Sequence, residues 1–227
     1  MKQIYALIHG YGGGSFELEY LYRYLTDKGC DVRYIVLDGH EATRAEFAKS
    51  TAHTWLASAG GALEVCRRSC DELIVIGFSM GGLVAANLYP TIRPDKIVFV
   101  NTPVYYWNLK KISKNIVHDI RIREFSNIQR YVKTSLDKPF STMIQFQTLL
   151  EKSKKQFGKV LCPVLVAQCL EDDTVRAQSA HFIYQRLTGK KYLKLYEGGA
   201  HQAFESEVAQ TLCQDIYNFA HSNYDIY

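Results

Sequence analysis

Short runs of apolar, mostly β-branched residues recur along the chain, and between them apolar positions return every three or four residues. Runs at 4–8, 32–37, 73–76, 96–101, 162–168 and 192–196 read as buried strands, because a strand covered on both faces has no polar side to show. The intervening spacing predicts helices over about 16–28, 53–69, 80–90, 176–187 and 205–220. In the second of these, Trp55, Leu56, Ala59, Leu63 and Cys66 fall on one stripe. Strands that alternate with helices predict an α/β fold, with a mainly parallel sheet of about six strands flanked by helices.

The alternation breaks after Thr102-Pro103. Residues 104–157 carry helical patterns and no strand: Leu109, Ile112, Ile116, Ile120 and Ile128 lie near one stripe, and Met143, Phe146, Leu149 and Leu150 form another. The expected organisation is a core of residues 1–103 and 158–227 interrupted by a helical cap at 104–157. Charge marks the same boundary, with a net +7 in the cap against −3 in the rest of the chain. A solvated helix face explains the charge, and a basic rim that attracts anionic substrates or membrane surfaces is the alternative. The apolar stripe fits a lid over a pocket.

Composition narrows the classes. A 227-residue chain that is 47% apolar can bury a sizeable core, and a formal charge of +4 without long basic blocks argues against nucleic acid as a partner. Cysteines at 30, 66, 70, 162, 169 and 213 form no CxxC pair and no zinc-spaced cluster, so buried free thiols are expected. Only about six apolar residues precede His9, too few for a secretory segment or a membrane span. Thiols and terminus together predict a cytoplasmic protein without stable membrane insertion.

Candidate chemistry lies at the strand ends. The run at 73–76 stops at Gly77-Phe78-Ser79-Met80-Gly81 before a small-residue helix, a strand–turn–helix with a serine at its apex. A neutral hydroxyl is a poor nucleophile and needs a base, and imidazole has a suitable pKa. His201 follows the last strand in Gly198-Gly199-Ala200-His201. Glu171, Asp172 and Asp173 follow the fifth, where open α/β sheets place their sites. Chain order is then Ser79, acid, His201. A valine three residues after the acid would pack inward and aim the carboxylate, which selects Asp172 in Asp172-Asp173-Thr174-Val175. Asp173 is the competing candidate, and the residue not used as the acid is expected to be a helix N-terminal charge near Arg176. The glycine loop after the first strand, His9-Gly10-Tyr11-Gly12-Gly13-Gly14, matches no dinucleotide or Walker pattern. Its reading is half of an oxyanion hole, with donors at the N–H groups of Tyr11 and Met80, and His9 bracing the loop. Tyr105, Tyr106 and Trp107, with Val104 and Met143, would line an apolar, aromatic substrate pocket.

His9-Gly10-Tyr11, Gly77-Phe78-Ser79-Met80-Gly81-Gly82, Asp172-x-x-Val175 and Gly199-Ala200-His201 together resemble the α/β-hydrolase superfamily, and are most similar to bacterial carboxylesterases and monoacylglycerol-lipase-like enzymes. The resemblance covers nearly the whole chain. It implies a minimal core beginning at the superfamily's third strand, hydrolysis of small-molecule esters through an acyl-enzyme, and no cofactor or metal. The expected activity is a serine carboxylesterase for short- to medium-chain or aromatic esters. A monoacylglycerol lipase, a serine peptidase and a non-catalytic ligand-binding protein of the same fold are the alternatives. Two motifs depart from the family: Gly-Gly-Ala-His replaces the commoner Ser-Gly-His, and Asp38-Gly39-His40-Glu41 lacks a second glycine after the histidine.

Overall fold

A computed structural model describes residues 1–105 and 138–221 of the chain. Its centre is a parallel sheet of strands β1 (Gln3–Ile8), β2 (Asp31–Ile35), β3 (Glu72–Phe78), β4 (Lys96–Val100), β5 (Val164–Cys169) and β6 (Lys191–Tyr196), in the order β2-β1-β3-β4-β5-β6. The chain builds β2 on one side of β1 and then returns to build β3 on the other. The loops after β1 and β3 therefore diverge at a topological switch point, where open α/β sheets form their clefts.

Helices cover both faces. On one, α1 (Glu19–Thr26) and α7 (Ala209–His221) contribute Leu21, Leu25, Leu212, Ile216 and Phe219 to a core with Tyr5, Leu7, Ile74 and Ile76. On the other, α3 (Ala52–Arg68), α4 (Met80–Ile92), α5 (Phe140–Ser153) and α6 (Gln178–Arg186) cover Ala6, Ile8, Val75 and Phe99. Trp55 on α3 is fully buried, which contributes about 2–3 kcal/mol from removal of its apolar surface from water. Its indole N–H donates to Ser50 Oγ at 2.8 Å, so burial leaves no orphaned donor. Met143 lies on α5, partly exposed, with Phe146, Leu149 and Leu150 on the buried side. The other predicted stripe, from Leu109 to Ile128, lies outside the described residues. No helix among the described residues is long and apolar enough to cross a membrane.

Several boundaries differ from the sequence expectation, each for a local reason. The first helix begins as a 3₁₀ turn, Ser15–Leu18, and becomes α1 only at Glu19. The stretch between β2 and the helix predicted at 53–69 contains a further helix, α2 (Arg44–Lys49), opened by a capping box in which Thr43 and Glu46 satisfy each other's backbone N–H groups. Pro90 falls in the last turn of α4, which continues to Ile92, because a proline that late in a helix removes one hydrogen bond without ending it. The closing helix starts at Ala209, preceded by a separate 3₁₀ turn, Ala203–Glu205.

One glycine shows how tightly the layers fit. A Cβ on Gly81 would lie 2.1 Å from the Ile8 carbonyl oxygen, so α4 can approach β1 only without a side chain there. Backbone on both sides leaves nothing flexible to yield. Gly81→Ala is expected to cost at least about 3 kcal/mol by chemical denaturation, and a variant within about 0.5 kcal/mol of wild type would refute this packing.

Beneath the loop after β1, His9 and His40 form a buried pair with ring centroids 4.8 Å apart, and His40 also meets Phe47 and Trp55 edge-on. His40 Nδ1 donates to the Asp38 carbonyl at 3.2 Å, whereas Nε2 has no hydrogen-bond partner among the described residues. Burial, with His9 beside it, pushes His40 down to about 3 from an ordinary 6.5. The unfolded chain therefore takes up a proton that the folded one refuses, and stability falls as pH drops below about 6.5. At pH 5 this single group accounts for about 2 kcal/mol. Urea unfolding of His40→Gln should show the drop in stability between pH 7.5 and 5 reduced by about that amount; an unchanged drop would remove His40 as its source.

Candidate active site

Ser79 stands between the end of β3 and the first turn of α4 with φ 50° and ψ −118°, a conformation that costs a non-glycine residue about 1–3 kcal/mol. Surrounding hydrogen bonds over-determine it. Its N–H donates to the Val100 carbonyl at 2.8 Å, and its own carbonyl accepts from Gly82 N–H at 3.1 Å. Strand β4 thus clamps the turn from one side while α4 closes it from the other.

His201, in the loop after β6, approaches Ser79 with Nε2 3.1 Å from Oγ, and its Nδ1 lies 2.8 Å from Asp172 Oδ2. A carboxylate only accepts, so Nδ1 carries the proton and Nε2 presents its lone pair to the serine hydroxyl. Asp172 is buried, and its Oδ1 accepts from the N–H groups of Thr174 and Val175, both at 2.8 Å. Val175 is fully buried and anchors that turn. Three donors thus fix both oxygens of one carboxylate. Burial alone would lower the pKa of His201, but the charge of Asp172 and its hydrogen bond outweigh it and raise the imidazole above 6.5.

Asp173 is not brought to the imidazole by any hydrogen bond; its Oδ1 accepts from the Thr174 hydroxyl at 3.1 Å. The expected helix-terminal charge is not found either. Asp173 is buried in the loop after β5, and α6 begins only at Gln178, so Asp173 does not lie in the first turn of a helix.

Met80 opens α4, and its N–H is among those a helix leaves without an intrahelical acceptor. Tyr11 lies on the loop across β1, with its side chain directed away into the core. There its hydroxyl and Thr142 Oγ1 are 2.7 Å apart, and its ring stacks on Phe146 at 5.0 Å. Lys138 Nζ donates to the Tyr11 carbonyl at 2.9 Å, which fixes that peptide from outside. His9 braces the same loop: Leu37 N–H donates to Nε2 at 3.1 Å, leaving Nδ1 to donate to the Gly10 carbonyl at 2.9 Å.

Among the expected pocket residues, Tyr105 is partly exposed and packs its ring edge on Phe182 of α6, in a surface cleft of about 330 Å³ with Arg176, Gln178, His181 and Gln185. Tyr106 and Trp107 lie outside the described residues. Met143 projects from α5 and is partly exposed. Among the described residues, no group of three or more His, Cys, Asp or Glu side chains could hold a metal ion.

Three residues around the site were not singled out from sequence. Asn101, fully buried at the end of β4 with φ 45°, donates from Nδ2 to the His201 carbonyl at 3.0 Å and accepts the Cys169 N–H at 2.8 Å. It ties the histidine loop to the strand that carries Asp172. Glu17 is buried in the 3₁₀ turn before α1, where its Oε2 accepts the Gly10 N–H at 2.8 Å. Gln202, next to His201, donates to Glu17 Oε1 at 3.1 Å. A polar side chain at the carboxyl end of a buried strand was the available signal for Asn101.

No protein-family model matches the chain. It is 23% identical over 221 residues to a carboxylesterase of Bacillus subtilis (strain 168), covering 94% of this chain and 90% of that protein. It is 26% identical over 203 residues to a thermostable monoacylglycerol lipase of Bacillus sp. (strain H-257), covering 83% and 79%. A solved metagenome-derived lipolytic enzyme superposes with a TM-score of 0.79 at 19% identity, covering 96% of this chain and 93% of that one. With this strand order and these likenesses, the chain has the α/β-hydrolase fold and is similar to bacterial carboxylesterases and monoacylglycerol lipases.

Proposed function

We propose that the chain is a serine hydrolase of carboxylic esters in which Ser79 is the nucleophile, His201 the general base and acid, and Asp172 the group that orients and charges His201. The observation that carries this reading is the continuous pair of contacts from Asp172 Oδ2 to His201 Nδ1 and from Nε2 to Ser79 Oγ, at 2.8 and 3.1 Å. His201 takes the hydroxyl proton as Oγ bonds to the ester carbonyl carbon. The carbonyl oxygen becomes an oxyanion held by the N–H groups of Tyr11 and Met80. Collapse of the tetrahedral intermediate expels the alcohol, which leaves with the proton from His201. Water then attacks the acyl-serine by the same route in reverse and frees the acid.

Short- to medium-chain or aromatic esters are the proposed substrates, with Tyr105, Tyr106, Trp107 and Met143 shaping the pocket under a cap at 104–157. A monoacylglycerol-lipase activity is the second reading. It is favoured by the likeness to the Bacillus lipase and by the exposed apolar residues Phe140 and Ile144 on the first turns of α5, suited to a longer acyl chain.

p-Nitrophenyl esters of increasing acyl length, a monoacylglycerol and an aminoacyl amide, each assayed with wild type and Ser79→Ala, separate these readings. A Ser79-dependent maximum at short or medium chains is expected. Preference for the monoacylglycerol would make the protein a lipase, cleavage of the amide alone a peptidase, and silence throughout a binding protein.

Ser79→Ala and Asp172→Asn should each lower kcat by about 10⁴-fold or more while folding normally, whereas Asp173→Asn should stay within about tenfold. Equal losses at the two aspartates would defeat the choice of Asp172. Since the base must be neutral and His201 titrates above 6.5, kcat/KM should rise with pH to a plateau, with its midpoint above 6.5.

A further inference from the structure

The 3₁₀ turn at Ser15–Leu18 carries a carboxylate into the interior with no cation among the described residues in hydrogen-bond contact. Glu17 is 7% exposed, Oε2 accepts from Gly10 N–H, and Oε1 accepts from the Gln202 amide. These partners come from two loops separated by most of the sequence: one carries Tyr11 and the other His201. The site is shaped for the group. A Cβ on Gly13 would fall 1.9 Å from Glu17 Oε2, so the loop is kept bare where the carboxylate sits. A buried anion is costly to hold unless it is hydrogen-bonded, and these contacts do so with neutral donors that leave its charge uncancelled.

We propose that Glu17 is a positioning residue for the Ser79–His201 centre, bridging the oxyanion loop at Gly10 to the histidine loop at Gln202 and adding a second fixed negative charge in the field of His201. This rests on the esterase reading for its kinetic consequences but not for its electrostatic one. Asp172, Glu17 and Asp173 are the charged groups acting on the imidazole, and all three favour its protonated form. Glu17 therefore sets two properties together. It fixes the distance between the loop that receives the developing oxyanion and the base that moves the proton, and it raises the basicity of that base.

Glu17→Gln separates the two. Its amide oxygen can accept from Gly10 N–H, and its NH₂ can donate to Gln202 Oε1, a buried atom without a partner among the described residues, after that amide turns over. Glu17→Ala removes bridge and charge, and Gln202→Ala removes half of the bridge and no charge. Kinetics over pH should be compared for all three, with active sites counted by a serine-directed phosphonate, beside NMR titration of the His201 ring.

Glu17→Gln should keep kcat within about threefold while the His201 titration and the acidic limb of kcat/KM both move to lower pH. Loss of general folding does not extend activity toward acid. Glu17→Ala should lower kcat about 10- to 100-fold per titrated site with KM nearly unchanged, and Gln202→Ala should lower kcat with the His201 titration in place. The proposal is overturned if both Glu17 variants keep the wild-type kcat and titration. It is equally overturned if the Glu17→Ala loss vanishes per titrated site, or if Glu17→Gln is as damaged as Glu17→Ala with His201 unmoved. If the wild type hydrolyses no ester, the esterase reading fails, and the ring titration still decides whether Glu17 acts on His201.

Discussion

Everything at the carboxyl edge of this sheet depends on how closely α4 lies against the backbone of β1 and β3. A Cβ on Gly77 would meet the Gly81 carbonyl carbon at 2.5 Å, and one on Gly81 would strike the end of β1. With both absent, the chain can reverse within a few residues and hold Ser79 at a positive φ. Tight van der Waals contact is a harsh selector, since repulsion rises far more steeply than any hydrogen bond can offset. The strain at Ser79 persists because bonds to Val100 and Gly82 leave the turn no alternative. Opening the contact by the size of a methyl group would part the two loops that face the hydroxyl.

Electrostatics then take advantage of what packing has brought together. The two oxygens of Asp172 accept from donors of its own turn and from His201, and among the described residues no lysine or arginine lies at hydrogen-bond range of this buried carboxylate. Its negative charge and the desolvation of the imidazole oppose each other, and the charge prevails. His9 and His40 show the reverse outcome a short distance away. Burial dominates there, and both rings are held below their ordinary pKa. The same side chain thus has its pKa raised in one place and lowered in the other, according to whether a hydrogen-bonded carboxylate faces it.

Much of this was legible in the residues. The inner strands β1, β3, β4 and β5 are nearly uninterrupted buried apolar runs, the edge strands β2 and β6 are half-exposed and carry charged residues, and all six fall where the sequence places them, within a residue or two at their ends. Met80 and Ser79 follow from the small residues of the turn, and the aim of Asp172 follows from Val175. Helix α2 was missed although Thr43 and Glu46 spell its capping box, because a six-residue helix leaves little periodicity to see. The partners of Glu17 and Asn101 were invisible for a stronger reason. Glu17 meets Gln202 and Asn101 meets His201 only after the whole sheet has assembled, so even the signal of a polar residue at a strand end does not name the partner. The missing glycine after His40 has a local resolution. Glu41 adopts φ 57° despite its side chain, and its carboxylate accepts the Ser15 N–H, offsetting part of a cost of about 1–2 kcal/mol.

Tyr11 joins the loop after β1 to α5. Its peptide belongs to the loop beside Ser79, yet its hydroxyl meets Thr142, its ring meets Phe146, and its carbonyl accepts from Lys138. All three partners lie on or just before α5. The loop is therefore held from two independent directions: from the core by His9 and Glu17, and from α5 and the residues just before it by Lys138, Thr142 and Phe146. A rearrangement of α5 cannot leave the Tyr11 peptide where it is unless those contacts break. The position of α5 and that of the loop beside Ser79 are consequently coupled through one residue, by packing and hydrogen bonds rather than across open solvent.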